Sequence, residues 1–216
     1  MKRYQQGFTL IEIAIVLVII GLLLGGVLKG QELIESGKIK RAITDYNGTT
    51  AAFYGYLDRY GMLPGDDNTA AARWNGVFGN GGSAQNGNAN GLIEGEYETG
   101  GNADTTRFWQ HLRAAGFITG SMQTPAVARE QPINRYGGIM GVENIGAGLG
   151  GNILCQTNIP AKGAIAIDAQ MDDGTGTAGS MRAIQGAGNI NAGNANTAGA
   201  TVVDDGSSTY LLCKTL

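Results

Sequence analysis

The run from Phe8 to Leu28 constrains this chain more than any other stretch. It holds 21 residues, of which only Thr9 and Glu12 are polar. As a helix it would measure about 31 Å, enough to span the hydrocarbon core of a bilayer. Lys2 and Arg3 precede it, which favours a cytoplasmic N-terminus, and Lys29 marks the far interface. The run is too long for the apolar region of a cleaved secretory signal. No small-x-small cleavage site follows, and the next residues, "KGQELIES", continue as helix. The run therefore reads as a retained anchor. Glu12 is its anomaly, since a carboxylate in hydrocarbon costs about 2.5–3.5 kcal/mol even on a lenient insertion scale. A simple anchor gives no reason for it.

The rest of the 216 residues are enough for one domain with its own core. Net charge is −3, from 15 basic and 18 acidic residues, and no aromatic-plus-arginine stripe is present. No nucleic-acid partner is expected. The 37 glycines and the sparse charge suit a loop-rich exported protein better than a cytosolic enzyme. Both cysteines, Cys155 and Cys213, lie beyond the apolar run. In an oxidising compartment such a pair reads as one disulfide; the alternative is two unpaired buried thiols.

The hexapeptide "GFTLIE" at Gly7–Glu12, after a short basic leader and before an apolar helix, closely resembles the class III signal of type IV pilins and type II secretion pseudopilins. The resemblance implies cleavage by a prepilin peptidase after Gly7, N-methylation of the new terminus Phe8, and an assembly role for Glu12. It also supplies a reason for the buried charge. An amine at Phe8 and a carboxylate at Glu12 attract strongly in a low-dielectric medium. In a filament, Glu12 of one subunit would meet the Phe8 amine of a neighbour and set register. The implied partners are other pilin or pseudopilin subunits, the peptidase, an inner-membrane assembly platform and membrane lipid. Gly21, Gly25 and Gly26 weaken the helix by about 1 kcal/mol each relative to alanine. They suit either a segment that melts on assembly or close helix packing.

Beyond Lys29, Ile39, Ile43, Tyr46, Thr50, Phe53, Leu57 and Tyr60 recur at helical spacing. Gly61, Pro64 and Gly65 then stop the helix. The expected organisation is a leader over 1–7, a transmembrane and assembly helix over 8–28, its soluble continuation over 29–60, and a periplasmic domain over 61–216. "DDNTAAARWNG" predicts a short helix ending at Gly76. Asp104 predicts the N-cap of a helix stopped by Gly116, with Phe108, Leu112 and Ala115 on one face. Pro160 and Gly174 bracket a further helix. "YGGIMGV", "NILCQ", "SMRAI", "ATVV" and "TYLLC" predict strands, and "GAGNINAGNANTAG" a mobile loop. The fold class is α+β: a long N-terminal helix, transmembrane in its first half, packed on a small antiparallel β-sheet, as in pilins. "YGMLPGDD", "NGLI", "FWQHL" and "IDAQMDDGTGTAGSMRA" resemble segments of pseudopilin-type proteins. The resemblance implies a structural subunit, minor or accessory given the glycine-rich domain.

Two segments have the look of cation sites. Asn86, Asn88, Asn90 and the Leu92 carbonyl, with Gly91 at the turn, have the spacing of a calcium loop. Asparagines replace aspartates there, and Tyr97 takes the last ligand position, with Glu96 and Glu98 beside it. The leading reading is a Gly/Asn turn; the missing carboxylates leave at most weak calcium binding, and no other cofactor is expected. Asp168, Asp172 and Asp173 either bind a hard cation or shape the turn at Gly174. The single histidine, His111, reads as a surface residue. A membrane-anchored periplasmic binding module or enzyme is the competing function. The sequence offers it no activated nucleophile, phosphate-binding glycine loop or clear metal-ligand cluster.

Overall fold

A computed structural model describes residues 9–95, 103–186 and 199–216. Helix α1 runs from Leu10 to Tyr60 without interruption, and the chain divides into two compact units at Lys38/Ile39. In the first unit the aliphatic side chains of α1 are exposed all round, and the helix is long and apolar enough to cross a membrane. The positions at Gly21, Gly25 and Gly26 are helical and open, with nothing near a would-be Cβ.

The second unit begins with the rest of α1. It continues through α2 (Ala70–Arg73), α3 (Asp104–Ala114), β1 (Met140–Gly146), β2 (Leu149–Pro160), α4 (Ala161–Met171), β3 (Met181–Gln185) and β4 (Thr209–Thr215). The four strands form one antiparallel sheet in the order β1-β2-β4-β3. Ala147 and Gly148, both at positive φ, close the β1–β2 hairpin, the backbone pattern that matches strand twist in two-residue turns. Helix α4 starts directly after Pro160, as its sequence predicts.

Period-2 alternation gives the sheet two buried faces. Leu154, Leu212, Met181 and Ala183 join the main core with Ile39, Tyr46 and Phe53 of α1, Phe108 and Leu112 of α3, and Ile167 of α4. The Tyr46 hydroxyl donates to the Leu212 carbonyl, and Gln156 Nε2 donates to Ala42 O at 3.1 Å. On the other face Leu149, Ile153, Ile184 and Leu211 surround Cys155 and Cys213. Those cysteines are register partners on β2 and β4 and form a disulfide.

Three expectations shift. The buried face of α1 is Ile39, Ala42, Tyr46, Thr49, Phe53 and Tyr56, rotated from the expected stripe. Small Ala42 and Thr49 let the backbone approach the sheet, while Ile43, Thr50, Leu57 and Tyr60 are only half-buried. Residues 200–203 are not a strand; Ala200 N makes one hydrogen bond to Ala183 O. Asp104 is the first residue of α3 and Ala103 the N-cap, because the Asp104 carboxylate turns to Glu94 N and Arg107. Gly116 does end α3. Its N–H and that of Phe117 donate to Arg113 O and Leu112 O, the Schellman pattern. Most of the glycine-rich segment read as a mobile loop, residues 187–198, lies outside the described residues.

The bridge spans 58 positions, so it should contribute about 4 kcal/mol by restricting the unfolded chain. The double variant Cys155→Ala/Cys213→Ala should unfold at correspondingly lower urea, and reductant should shift the wild type but not the variant. Equal midpoints for oxidised and reduced wild type would show that the bridge restrains nothing.

Candidate functional site

The N-terminal segment is built around Glu12. Thr9 precedes the first helical residue, and Glu12 lies three positions on. Thr9 N and Thr9 Oγ1 both donate to Glu12 Oε2 at 2.7 Å, and Glu12 N donates weakly to Thr9 Oγ1 at 3.4 Å. This reciprocal arrangement is a capping box. It also places a carboxylate at the positive end of the helix dipole. The T-x-x-E spacing is readable in "TLIE", yet Thr9 escapes a reading centred on charge. Gly7 and Phe8 lie outside the described residues. Around Glu12 the helix exposes apolar side chains, from Leu10 at 90% through Leu22 at 73% to Leu28 at 63%. A surface this apolar on every side calls for lipid or other helices.

The second unit carries a different polar centre, at the "PGDD" turn after α1. Asp67 Oδ2 accepts from Tyr56 Oη at 2.7 Å and from Arg73 Nη1, and its Oδ1 accepts from Thr69 N and Oγ1. Burial pushes the Asp67 carboxyl upward, but the bonds from Thr69, Arg73 and Tyr56 outweigh it and hold the group down at about 2. Burial and the Asp67 charge push Tyr56 far up, so its hydroxyl stays a donor. Asp66 faces the other way. Its carboxylate accepts from Asn90 N and Gly91 N, and its carbonyl from Ala89 N.

The expected calcium loop therefore wraps Asp66. The side-chain oxygens of Asn86, Asn88 and Asn90 accept from the backbone N–H groups of Ala71, Asn90 and Leu92, and Asn88 Nδ2 donates to Glu94. A cavity of about 330 Å³ lies beside it, lined by Asn86, Asn88, Glu94, Asp104 and Arg107 among others. Glu96, Tyr97 and Glu98 lie outside the described residues.

His111 is a correction: it is fully buried. Its Nδ1 accepts from Gly65 N at 2.9 Å, so Nε2 carries the proton and donates to Gln85 O at 2.7 Å. A lone polar residue on a helix reads as exposed, but here two distant backbone groups need a neutral ring between them. Burial holds His111 down at about 4, against the opposing bond to Gln85.

Residues 2–28 match the prokaryotic N-terminal methylation motif, the signature of type IV pilins and pseudopilins. No curated protein and no solved structure matches the chain. The match covers the leader, the Gly7–Phe8 junction, Glu12 and the apolar run together.

The neutral His111 generates a pH prediction. Its folded value of about 4 lies below the ordinary 6.5, so the unfolded chain binds the extra proton first. The stability it contributes is complete above about pH 6.5 and falls by about 3 kcal/mol as pH drops to about 4. Urea unfolding of wild type and His111→Gln, differenced at each pH so that the carboxylates cancel, should show this loss in the wild type alone. A constant difference from pH 7 to pH 4 would contradict the buried neutral ring.

Proposed function

We propose that this chain is a structural subunit, minor or accessory in role, of a type IV pilus or a type II secretion pseudopilus. Prepilin peptidase cuts after Gly7, and Phe8 becomes the methylated N-terminus. The subunit then rests in the bacterial inner membrane through the first part of α1, with the α+β domain in the periplasm. From there the assembly platform moves it into a filament. The observation that carries this reading is the methylation-motif match over residues 2–28, with Glu12 set in the part of α1, residues 10–28, whose large apolar side chains are exposed.

Cleavage removes Lys2 and Arg3 and places an amine beside the acidic first turn. Before assembly, Thr9 supplies donors to Glu12, as the capping box shows. In the filament the amine of a neighbouring Phe8 takes up the same carboxylate. A neutral hydroxyl and one amide are a weaker match for a carboxylate in hydrocarbon than a cation, because charge-assisted hydrogen bonds are about twice as strong. The exchange of partners therefore favours the polymer.

Two measurements test this. Intact-mass analysis of membrane-purified protein should show loss of residues 1–7 and one added methyl; a chain retaining Met1–Gly7 would sink the proposal. Glu12→Gln keeps size and a capping oxygen but removes the charge. It should insert and be cleaved normally, then enter filaments at least about tenfold less than wild type, the scale of one charge-assisted contact. Filament incorporation at wild-type levels would remove Glu12 from the assembly contact.

A further inference from the structure

The corner where α4 meets β3 holds a carboxylate cluster separate from the N-terminal segment. Asp168 sits in the last turns of α4 and is 1% exposed, yet among the described residues neither of its carboxylate oxygens has a hydrogen-bond partner. Asp172 and Asp173 follow at the helix end, one half-buried and one exposed. One oxygen from each of the three lies within 4.8 Å of the others. Oxygens that share one calcium ion lie at most about 4.6–5.2 Å apart, twice the metal–oxygen distance.

The turn that follows is shaped around these groups. Asp172 Oδ2 accepts from Met181 N at 2.9 Å, and its Oδ1 accepts from Ser180 Oγ at 3.3 Å. Asp173 Oδ1 accepts from Thr175 N at 2.7 Å. Gly179, at φ +71°, packs so closely on the Asp172 carboxylate that a Cβ there would collide with it. These bonds fix the directions of Asp172 and Asp173 but give nothing to Asp168. The nearby cation does not supply the missing partner: Arg182 Nη1 donates to the carbonyls of Gly179 and Met181. A buried carboxylate left in this state must be neutralised by a proton or by a cation.

We propose that Asp168, Asp172 and Asp173 bind a hard divalent cation of the calcium class, which ties the end of α4 to the turn entering β3. Three carboxylates supply the oxygen ligands such an ion prefers, and one of them is already desolvated. The exposed side at Asp173 leaves room for water to complete the shell.

The test uses the full chain in detergent micelles. Thermal unfolding in about 1 mM calcium chloride, the range of extracellular calcium modules, is compared with unfolding in chelator. Calcium should raise the wild-type midpoint by about 4 °C. Asp168→Asn should abolish the rise, and Asp173→Asn, which keeps an oxygen to accept from Thr175 N, should weaken calcium binding at least about tenfold in calorimetric titration. Asn88→Ala/Asn90→Ala, which disables the other acidic-loop candidate, should keep the full response. The proposal is overturned if calcium leaves the wild-type midpoint unchanged. It is equally overturned if Asp173→Asn binds calcium as the wild type does, or if the response disappears with Asn88 and Asn90 instead.

Discussion

Two adjacent carboxylates at the end of the long helix hold the second unit together. Asp67 points back and fixes Tyr56 of α1 to Arg73 of α2. Asp66 points forward and gathers the backbone of residues 89–91. The residue before them, Gly65, donates its N–H to His111 of α3 and lies so close to Asp104 O that no side chain fits. Three consecutive residues thus link α1, α2, α3 and the asparagine-rich loop. A buried polar network of this kind is stable only when its members are satisfied. Here Asp67 has four donors, and His111 uses both ring nitrogens.

Asp67, Glu12 and Asp168 face one electrostatic problem, how to satisfy a carboxylate. Asp67 meets it with fixed protein donors and a guanidinium, and stays ionised within the fold. Glu12 meets it with Thr9 in the single chain. Asp168 has no hydrogen-bond partner among the described residues. The first solution is complete within the fold; for the other two, the proposals above supply an external charge, an amine in one case and a metal ion in the other.

Much of this was legible in the sequence, because the strongest signals are local. The apolar run, the Gly7–Phe8–Glu12 pattern, α4 between Pro160 and Gly174, and the stop at Gly116 all depend on near neighbours. The cysteine pairing was readable because only two are present. What escaped is set by tertiary contacts. Seven-residue spacing fits Ile43 and Thr50 as well as Ala42 and Thr49, and only the sheet's approach chooses between them. His111 looks exposed until Gly65 and Gln85 arrive from 46 and 26 residues away. "ATVV" has strand composition, but after the one bond from Ala200 N to Ala183 O on the free edge of β3, Val203 N donates to the Tyr210 hydroxyl and no ladder forms. In the site, Thr9 was overlooked although its spacing to Glu12 is a known cap signature.

The strand order β1-β2-β4-β3 sets a timetable for folding. β4, residues 209–215, is the last strand in chain order, yet it lies between β2 and β3 and carries one half of the disulfide. Until it arrives, β2 and β3 have no common neighbour, and the core face that receives Tyr46 lacks Leu212. The hairpin β1–β2 and helix α4 can form early, but the sheet closes only after the whole stretch through Thr215 is available. Contacts this distant in sequence are slow to form, and a half-finished sheet leaves strand edges unpaired. The interval between synthesis and closure is therefore when the chain is most exposed to proteolysis and mispairing.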